Sequence, residues 1–482
     1  MRADQSIVAL RNQVVTEVAK LAFNDKLEQE HDFVPEKIIP GTLPQYRCCV
    51  YKEREIVRRR VRNAMGLSQG PTDDGNVIQV IEAACADCPI SSYVVTNNCQ
   101  NCIGKLCINS CKFGAIRLGK WQTEIDPNKC KECGMCAKAC PYNAIVHQQR
   151  PCKESCPVGA LQYNEQGLSV IDEEKCIRCG QCILHCPFAA ISSKDSIVPV
   201  IEAIKSDRNV YAIAAPAAEG QYGKDVTFAS WKKAMKEVGF TDFIEVGLGG
   251  DLTTSAEAEE WYEAYEAGEM RTTSCCPAFV NMIHKHFPNL VDKISTAVSP
   301  MCATSRMIKA KDPDAVVVFI GPCIAKKSEI LDQKIEGNAD YALVFSELDS
   351  LMKAKGVSFE KVEDEYQESS KFGKDYALAG GVTDAVIEYL KETGRGDADL
   401  KVARVSGGDK LKITLTMAER GRLDEQFIEG MCCEGGCFHG PFSVDTTLAA
   451  VRNRREMISA ADDRTVVENL ENYDLDSFSR YR

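Results

Sequence analysis

The sequence contains no long hydrophobic run. Among its 482 residues, no stretch approaches the roughly 20 apolar residues that a helix needs to span a bilayer. The N-terminal segment MRADQSIVALRNQVV carries Asp4 and Arg11 among its apolar residues, so it lacks the uninterrupted apolar core of a secretory signal. We therefore predict a soluble protein with no membrane partner.

Basic residues are fewer than acidic residues. The chain has 58 Lys and Arg against 70 Asp and Glu, a net charge of -12. This balance argues against nucleic acid as the main partner, because binding to phosphates needs a surplus of positive charge. It still permits a locally basic docking face or a small basic electron carrier. A glycine-rich dinucleotide-binding motif is also absent, so we expect no flavin or NAD site.

Histidine is scarce, and His284, His286 and His439 lack a metal-ligand spacing. Cysteine, by contrast, occurs 25 times. A disulfide framework is typical of small secreted proteins, but this chain is long and its cysteines are grouped at metal-ligand spacings. A reducing, anoxic cytoplasm fits this composition better. The vicinal pair Cys48 and Cys49 has no such spacing, and we assign it no role.

The character of the sequence changes twice along the chain, which predicts an α+β multidomain protein. Residues 1–80 show helical apolar spacing and the run YKEREIVRRRVRNAMG, whose arginines we expect on a solvated helix face. Residues 81–192 contain 16 cysteines. Residues 193–482 alternate strand candidates such as DAVVVFIGPC with helix candidates such as FSELDSLMKAKG, as in an α/β domain.

The middle region is duplicated. NKCKECGMCAKACPYNAI returns 46 residues later as EKCIRCGQCILHCPFAAI, and KLCINSCKFGAI returns 45 residues later as RPCKESCPVGAL. Both copies contain C-x2-C-x2-C-x3-C-P, the spacing with which bacterial ferredoxins bind 4Fe-4S clusters. Structural zinc needs only four ligands per site and does not predict the final Cys-Pro. The region is therefore predicted to be a ferredoxin-like iron-sulfur domain.

Ligand sets follow from the rule that the last cysteine of such a motif binds the neighbouring cluster. Three sets follow from that rule, and the fourth is obtained by elimination. The predicted sets are Cys99, Cys102, Cys107 and Cys140; Cys130, Cys133, Cys136 and Cys111; Cys176, Cys179, Cys182 and Cys156; and Cys85, Cys88, Cys152 and Cys186. We expect these three or four clusters to carry electrons to a site that consumes them.

Three further cysteine motifs lie in the C-terminal region: TSCCPAF, GPCIAKKSE and EGMCCEGGCFHGP. Together they supply four thiolates, enough for another 4Fe-4S cluster held across a cleft, namely those of Cys276, Cys323, Cys433 and Cys437. In this order the motifs resemble the three signature segments of the FeFe-hydrogenases, specifically the monomeric type with N-terminal ferredoxin-like clusters.

The resemblance implies a two-lobed α/β catalytic domain that reduces protons to dihydrogen or splits dihydrogen. It implies that Cys437 also bridges to a diiron subcluster carrying CO, CN and a bridging dithiolate. It further implies two kinds of protein partner: a ferredoxin or similar small electron carrier, and maturation proteins that make the diiron unit.

The resemblance also assigns residues around that subcluster. Lys326 would donate to a cyanide, and Met431 would pack beside the diiron unit, with Ala215 and Pro216 lining the opposite side. Cys275 would be a free thiol that passes protons, since a thiol has a pKa near 8.5 in water. The alternative for Cys275 is a small buried hydrophobe.

The best matches to the family's proton route are Glu257, Ser295 and Glu260. The two glutamates share one helix face at i, i+3. Because the surrounding segment SAEAEEWYEAYEAGE is acidic throughout, a merely solvated helix face remains an alternative.

Several departures from the family pattern predict a divergent subgroup. Gly321 stands where Met is common, Cys432 where Ala is common, and Ala278-Phe279 where Gly-Trp is common. Cys432 is either an extra thiol that tunes the cluster or a packed cysteine.

The main alternative function is that of a non-catalytic relative that acts in iron-sulfur assembly without a diiron unit. Such relatives tend to lack the vicinal cysteine pair and the lysine, whereas this chain has Cys275 and Lys326.

Overall fold

The computed structural model describes residues 5–47, 49–70, 75–86, 88, 92–363, 367–461 and 463–482. Cys48, of the vicinal pair above, lies outside the described residues. In the described part of the chain, no helix has the length and apolar character required to cross a membrane.

The N-terminal region is helical, as its apolar spacing predicts. Its helices are α1 (Gln5–Phe23), α2 (Leu27–Glu30), α3 (Val34–Ile38) and α4 (Val50–Ala64). Val14 and Val18 of α1 are buried in the same apolar cluster as Ile201 and Leu348 of the C-terminal region. The helical region is therefore packed against the α/β part of the molecule.

Among the arginines of α4, Arg58 and Arg59 match the sequence prediction and Arg60 does not. Arg58 and Arg59 donate to Glu55 at 2.9 and 2.8 Å, as expected for a solvated helix face. Arg60 is instead buried, and its Nη2 donates to the carbonyl of Ala189 at 2.9 Å. The solvated-face prediction is wrong for Arg60, because that side of α4 packs on the iron-sulfur domain.

The iron-sulfur domain consists of short elements around the cysteines. Its helices are α5 (Glu82–Cys85), α6 (Leu106–Asn109), α7 (Met135–Ala139), α8 (Pro151–Glu154) and α9 (Gln181–Leu184). Its strands are β1 (Ile78–Val80), β2 (Ser92–Val95), β3 (Ile116–Leu118), β4 (Thr123–Ile125), β5 (Ile145–Gln148), β6 (Leu161–Tyr163), β7 (Ser169–Ile171) and β8 (Ile191–Ser193).

These strands form four antiparallel pairs, β1 with β8, β2 with β5, β3 with β4, and β6 with β7. The duplication is visible in the backbone. Gly134 and Gly180 occupy equivalent positions before α7 and α9, with φ of 75° and 79°. This left-handed conformation favours glycine, because glycine has no Cβ to clash.

The remaining helices belong to the α/β region. They are α10 (Ile197–Lys205), α11 (Phe228–Val238), α12 (Val246–Ala267), α13 (Pro277–His286), α14 (Pro300–Lys311), α15 (Ala325–Glu329), α16 (Phe345–Lys355), α17 (Lys371–Asp375), α18 (Gly381–Glu392), α19 (Gly408–Glu419), α20 (Leu448–Ser459) and α21 (Val466–Leu470). In the described part of the chain, 3-10 segments lie at Pro216–Ala218, Pro288–Lys293 and Cys437–His439, and one in the N-terminal region at His31–Phe33.

Two parallel sheets form the two lobes. The strands are β9 (Val210–Ala214), β10 (Asp242–Glu245), β11 (Arg271–Thr272), β12 (Val316–Gly321), β13 (Tyr341–Val344), β14 (Val402–Ser406) and β15 (Phe427–Met431). One sheet has the order β10-β9-β12-β13, and the other has the order β11-β15-β14. The long helix α12 joins them, since Leu252 packs with the first sheet and Trp261 stacks on Phe427 of the second at 4.7 Å.

The topology fixes where the C-terminal cysteine motifs lie. Each motif follows the carboxyl end of a parallel strand: β11 for Cys275 and Cys276, β12 for Cys323, and β15 for Cys433. Ligands of parallel α/β sheets bind beyond these strand ends. The two sheets thus direct all three motifs to one region of the molecule.

Candidate active site

One cavity of about 70 Å³ lies where the three motifs meet. Its walls include all four thiols that the resemblance assigns to the catalytic cluster: those of Cys276, Cys323, Cys433 and Cys437. Among the described residues, no three Cys, His, Asp or Glu converge closely enough to hold a single metal ion. A 4Fe-4S cluster has four irons at separate corners, so that each thiolate binds a different iron.

The chemistry of these thiols fits an iron cluster. Burial raises the pKa of the Cys276, Cys433 and Cys437 thiols, and it raises the pKa of Cys323 to about 11. The neighbouring thiols add to this effect at Cys323 and Cys437, because several thiolates in one cavity repel each other. Bound iron would supply the positive charge that four clustered thiolates require, since metal ligation favours deprotonated sulfur.

Lys326 is on the wall of the same cavity and is only 9% exposed. Its Nζ donates to Glu329 Oε2 at 2.6 Å and to the carbonyl of Cys275 at 3.4 Å. Burial lowers the pKa of Lys326, but Glu329 and the nearby thiols outweigh burial and raise it above its ordinary value. The ammonium therefore stays charged beside the cavity, where it suits an anionic ligand.

Glu329 was not identified from the sequence as a site residue. Its position three residues after Lys326 on α15 was an available signal, because side chains at i, i+3 are neighbours on a helix. The remaining wall residues assigned by the resemblance are in place: Met431, Ala215 and Pro216 all line the cavity. Met301, to which the sequence analysis assigns no role, lines it too.

Cys275 lines the cavity next to Cys276. Burial raises the pKa of Cys275 well above its ordinary value, and Glu257 raises it further. Glu257 has 0% exposure; the backbone of Ser274 interacts with its carboxylate, and no side chain of the described residues hydrogen-bonds to it. The solvated-face alternative is therefore wrong for Glu257, which is a fully buried carboxyl group that interacts electrostatically with the Cys275 thiol.

Ser295 and Glu260 lie further along the expected proton route. The Oγ of Ser295 is buried and accepts from the Ala297 amide at 3.1 Å. The amide of the next residue, Thr296, donates to both carboxylate oxygens of Glu260 at 3.0 Å. Glu260 is partly exposed, so it stands between the buried residues and solvent. Within the described contacts, no hydrogen bond joins Ser295 directly to either glutamate.

Three of the predicted ligand sets in the iron-sulfur domain line small cavities of their own, of about 10 to 20 Å³. These sets are Cys111, Cys130, Cys133 and Cys136; Cys156, Cys176, Cys179 and Cys182; and Cys85, Cys88, Cys152 and Cys186. The last set is the one obtained by elimination. Of the remaining set, Cys99, Cys102, Cys107 and Cys140, only Cys107 is seen next to another set, packing with Cys136, so the convergence of all four stays a prediction.

An arginine accompanies the set obtained by elimination. Arg150 is 3% exposed, and its Nη1 lies 3.7 Å from Cys85 Sγ. Its Nη2 donates to the carbonyl of Cys88 at 3.0 Å, and the amide of Ser169 donates to Cys85 Sγ at 3.4 Å. We did not identify Arg150 from the sequence, although it stands only two residues before Cys152.

Cys432 connects the iron-sulfur domain to the catalytic cavity. It is buried on the cavity wall, and a hydrogen bond between its thiol and that of Cys179 lowers the pKa of Cys179. Cys179 in turn lines both the catalytic cavity and the cavity of its own ligand set. The two ligand groups therefore share a wall, and Cys432 contacts both sides of it.

The departures from the family pattern have local explanations. A Cβ added at Gly321 would lie 2.8 Å from the Phe319 ring and 3.0 Å from Ala215, so Phe319 fills the space that a larger residue would need. A Cβ added at Gly430 would lie 2.5 Å from the Phe279 ring. At Gly321 and Gly430 an aromatic ring thus occupies the space beside the glycine.

Comparison with known proteins agrees with this geometry. The family model described as iron only hydrogenase large subunit, C-terminal domain, matches residues 208–441, and the 4Fe-4S binding domain matches residues 123–146 and 169–192. The periplasmic [Fe] hydrogenase large subunit of Nitratidesulfovibrio vulgaris is 30% identical over 374 residues, which cover 66% of this chain and 85% of that protein.

Two further similarities have different coverage. Iron hydrogenase 1 of Clostridium pasteurianum is 27% identical over 369 residues, which cover 66% of this chain and 64% of that protein. A solved variant of the [FeFe]-hydrogenase HydA1 from Chlamydomonas reinhardtii is 20% identical with a TM-score of 0.45, covering 56% of this chain and 91% of that chain. On the 30% identical relative, of which 85% is covered, the chain belongs to the iron-only hydrogenase family.

Proposed function

We propose that this chain catalyses the reversible conversion of two protons and two electrons into dihydrogen. The observation that carries the proposal is a single cavity whose walls combine four cysteines at the family's ligand positions with Cys275 and Lys326. A lone iron-sulfur cluster needs only four thiolates, so the extra thiol and ammonium indicate a second, anionic group beside the cluster.

The residues present fit that group. The four cysteines would hold a 4Fe-4S cluster, with Cys437 shared with a diiron subcluster, and Met431, Ala215 and Pro216 would enclose the subcluster with apolar walls. When bound, the diiron subcluster supplies the redox chemistry that joins protons and electrons. Lys326 would hold an anionic diatomic ligand through its charged Nζ, which Glu329 already orients at 2.6 Å.

Cys275 would pass protons between the subcluster and the protein. Burial keeps this thiol protonated, and the buried carboxyl group of Glu257 is its acidic neighbour. From Glu257 the protons would pass the Ser295 region to Glu260 and reach solvent there. A positioned proton donor contributes about 10²–10⁴-fold to such a reaction.

Electrons would reach the cavity through the iron-sulfur domain. Cys179 lines both cavities, so the cluster bound by Cys156, Cys176, Cys179 and Cys182 would be the last donor before the catalytic cluster. We propose that a small ferredoxin-type protein delivers electrons to the other clusters. We also propose a reducing cytoplasm as the compartment, since the cysteines in the described part of the chain form no disulfides and most of them are assigned to clusters.

The alternative is an iron-sulfur assembly protein of the same family. That function needs no proton relay and no ammonium beside the cluster, so it leaves Cys275 and Lys326 unexplained. The test is dihydrogen production by anaerobically purified protein after treatment with the maturation proteins, with reduced methyl viologen as electron donor. Sustained production supports the hydrogenase. Full iron content without production after maturation would favour the assembly protein.

A further inference from the structure

The two copies of the duplicated ferredoxin unit differ in charge. Residues 99–148, the first unit, contain seven Lys and Arg against three Asp and Glu. Residues 152–193, the second unit, contain three against five. The first unit is therefore locally basic within a chain whose net charge is -12.

The two copies also differ in what covers their apolar side chains. Phe113 and Tyr142 of the first unit are exposed. Their counterparts in the repeat, Val158 and Phe188, are packed against neighbouring apolar clusters. In addition, the Nζ of Lys285 from the catalytic domain donates to backbone carbonyls of the second unit at 2.6 and 2.7 Å. The second unit is thus covered by the rest of the chain, whereas equivalent positions of the first unit face solvent.

Exposed apolar side chains of the first unit lie next to its predicted ligand cysteines in the chain. Ile103, 99% exposed, follows Cys102, and the exposed Met135 precedes Cys136. Trp121, 79% exposed, lies on the turn between β3 and β4. The full group of exposed large apolar residues in this unit is Ile103, Leu106, Phe113, Leu118, Trp121, Met135, Tyr142 and Val146. So many exposed apolar side chains in one small unit indicate a protein-binding surface.

We propose that this apolar surface of the first unit, with its exposed lysines, is the docking site for a small acidic iron-sulfur electron carrier. The proposal rests on the proposed function and names the place where the electrons enter. Lys112, Lys131 and Lys138 are exposed and form no ion pair with acidic residues in the described part of the chain. Basic groups around an apolar patch attract an acidic partner and orient it, while the apolar centre provides the contact area.

Docking here places the carrier's cluster against cysteines of the first unit. Electrons would then pass through the first unit into the second, whose Cys179 reaches the catalytic cavity. The exposed first unit therefore comes first along the electron path, and the covered second unit comes after it.

A first experiment maps the contact without measuring activity. The protein with its 4Fe-4S clusters is mixed anaerobically with an acidic two-cluster ferredoxin and treated with a carbodiimide that joins lysines directly to carboxylates. We expect cross-links from Lys112, Lys131 or Lys138, identified by mass spectrometry. Cross-links confined to the second unit or the catalytic domain would overturn the proposal.

A second experiment uses charge reversal. In the matured enzyme, the double variant Lys131→Glu with Lys138→Glu should lower kcat/KM for ferredoxin-driven dihydrogen production by about tenfold at low salt. Lys353→Glu with Lys401→Glu, at exposed positions of the catalytic region, is the matched control and should retain the wild-type value. Equal values for both double variants would overturn the docking site.

Methyl viologen separates the two proposals. Wild type and both double variants should reduce protons equally well with this dye, because a small cation needs no docking surface. If the dye drives production but the ferredoxin-driven rate is unchanged in the Lys131→Glu with Lys138→Glu variant, the carrier docks elsewhere and the hydrogenase proposal stands. If the dye gives no dihydrogen with matured wild type, the hydrogenase proposal fails, and the cross-links alone decide the docking site.

Discussion

The guanidinium group of Arg150 lies 3.7 Å from the sulfur of Cys85. Both residues are buried, and the contact lies in the cavity lined by the fourth predicted ligand set. A fixed positive charge and a hydrogen-bond donor beside a ligand sulfur favour the more negative, reduced form of a cluster. Arg150 should therefore make a cluster bound by this set easier to reduce.

Replacing Arg150 with Gln should lower the reduction potential of that cluster. We expect a decrease on the order of 100 mV, because a hydrogen bond to a charged group contributes about 1.5–3 kcal/mol, and for one electron 59 mV corresponds to a tenfold change, or about 1.4 kcal/mol. The measurement is a potentiometric titration followed by electron paramagnetic resonance. Arg150→Lys preserves the charge, so the reduction potential of the cluster should stay close to the wild-type value. Unchanged signals in the Gln variant would show that Arg150 does not contact a cluster.

Removing the ammonium of Lys326 should have two separable effects. Lys326→Ala leaves the carboxylate of Glu329 buried without its partner, so the free energy of unfolding should fall by about 3 kcal/mol in denaturant titrations. The diiron unit should also fail to be retained, seen as loss of its CO and CN infrared bands. The double variant Lys326→Ala with Glu329→Gln should recover stability but not the bands. Bands of full intensity in either variant would contradict the assigned role.

Substitution of Cys275 should stop proton transfer without disturbing the clusters. We expect Cys275→Ala to lower dihydrogen turnover by about 100-fold or more, with iron content unchanged. Cys302→Ala is the control, because Cys302 is a buried thiol that does not line the cavity. If both variants lose the same activity, the effect is one of packing, and Cys275 has no special function.

Glu257 should make stability depend on pH in a defined direction. Burial raises its folded-state pKa well above the ordinary value of about 4.3. Its stabilising contribution is therefore full below that ordinary value and is lost as pH rises through the raised pKa, since folding then has to bury a charge. Glu257→Gln carries no charge, so its free energy of unfolding should increase relative to wild type over that window.

The same variant should lower turnover, because an amide does not carry the proton. Unfolding titrations at several pH values, together with dihydrogen assays, check both effects. A stability difference that stays constant with pH would place Glu257 in contact with water and remove it from the route.

The sequence predicts local features of the molecule well. Cluster ligands recur at short, fixed spacings, so the sets built on Cys130 and Cys176 were identifiable without a structure. The alternation of strands and helices after residue 193 likewise predicted the α/β lobes that β9 and β15 belong to. These features depend on residues that are close together in the sequence, so repeating sequence patterns predict them.

Contacts between residues that are far apart in the sequence could not be predicted from it. Arg150 meets Cys85 across 65 residues, and Cys432 meets Cys179 across two domains. Arg60 was expected to be solvated, yet it packs against the iron-sulfur domain, because the burial of one face of α4 depends on what docks there. In each case the decisive partner comes from another part of the fold, and no periodic pattern marks it.

Infrared spectroscopy of the anaerobically matured protein tests the central claim most directly. Metal-bound CO and CN absorb in a window between the amide bands and the C-H stretches, where the protein itself does not absorb. We predict bands in that window that shift when dihydrogen is added. A protein that carries its full complement of iron after maturation but shows no bands there would contradict the hydrogenase assignment.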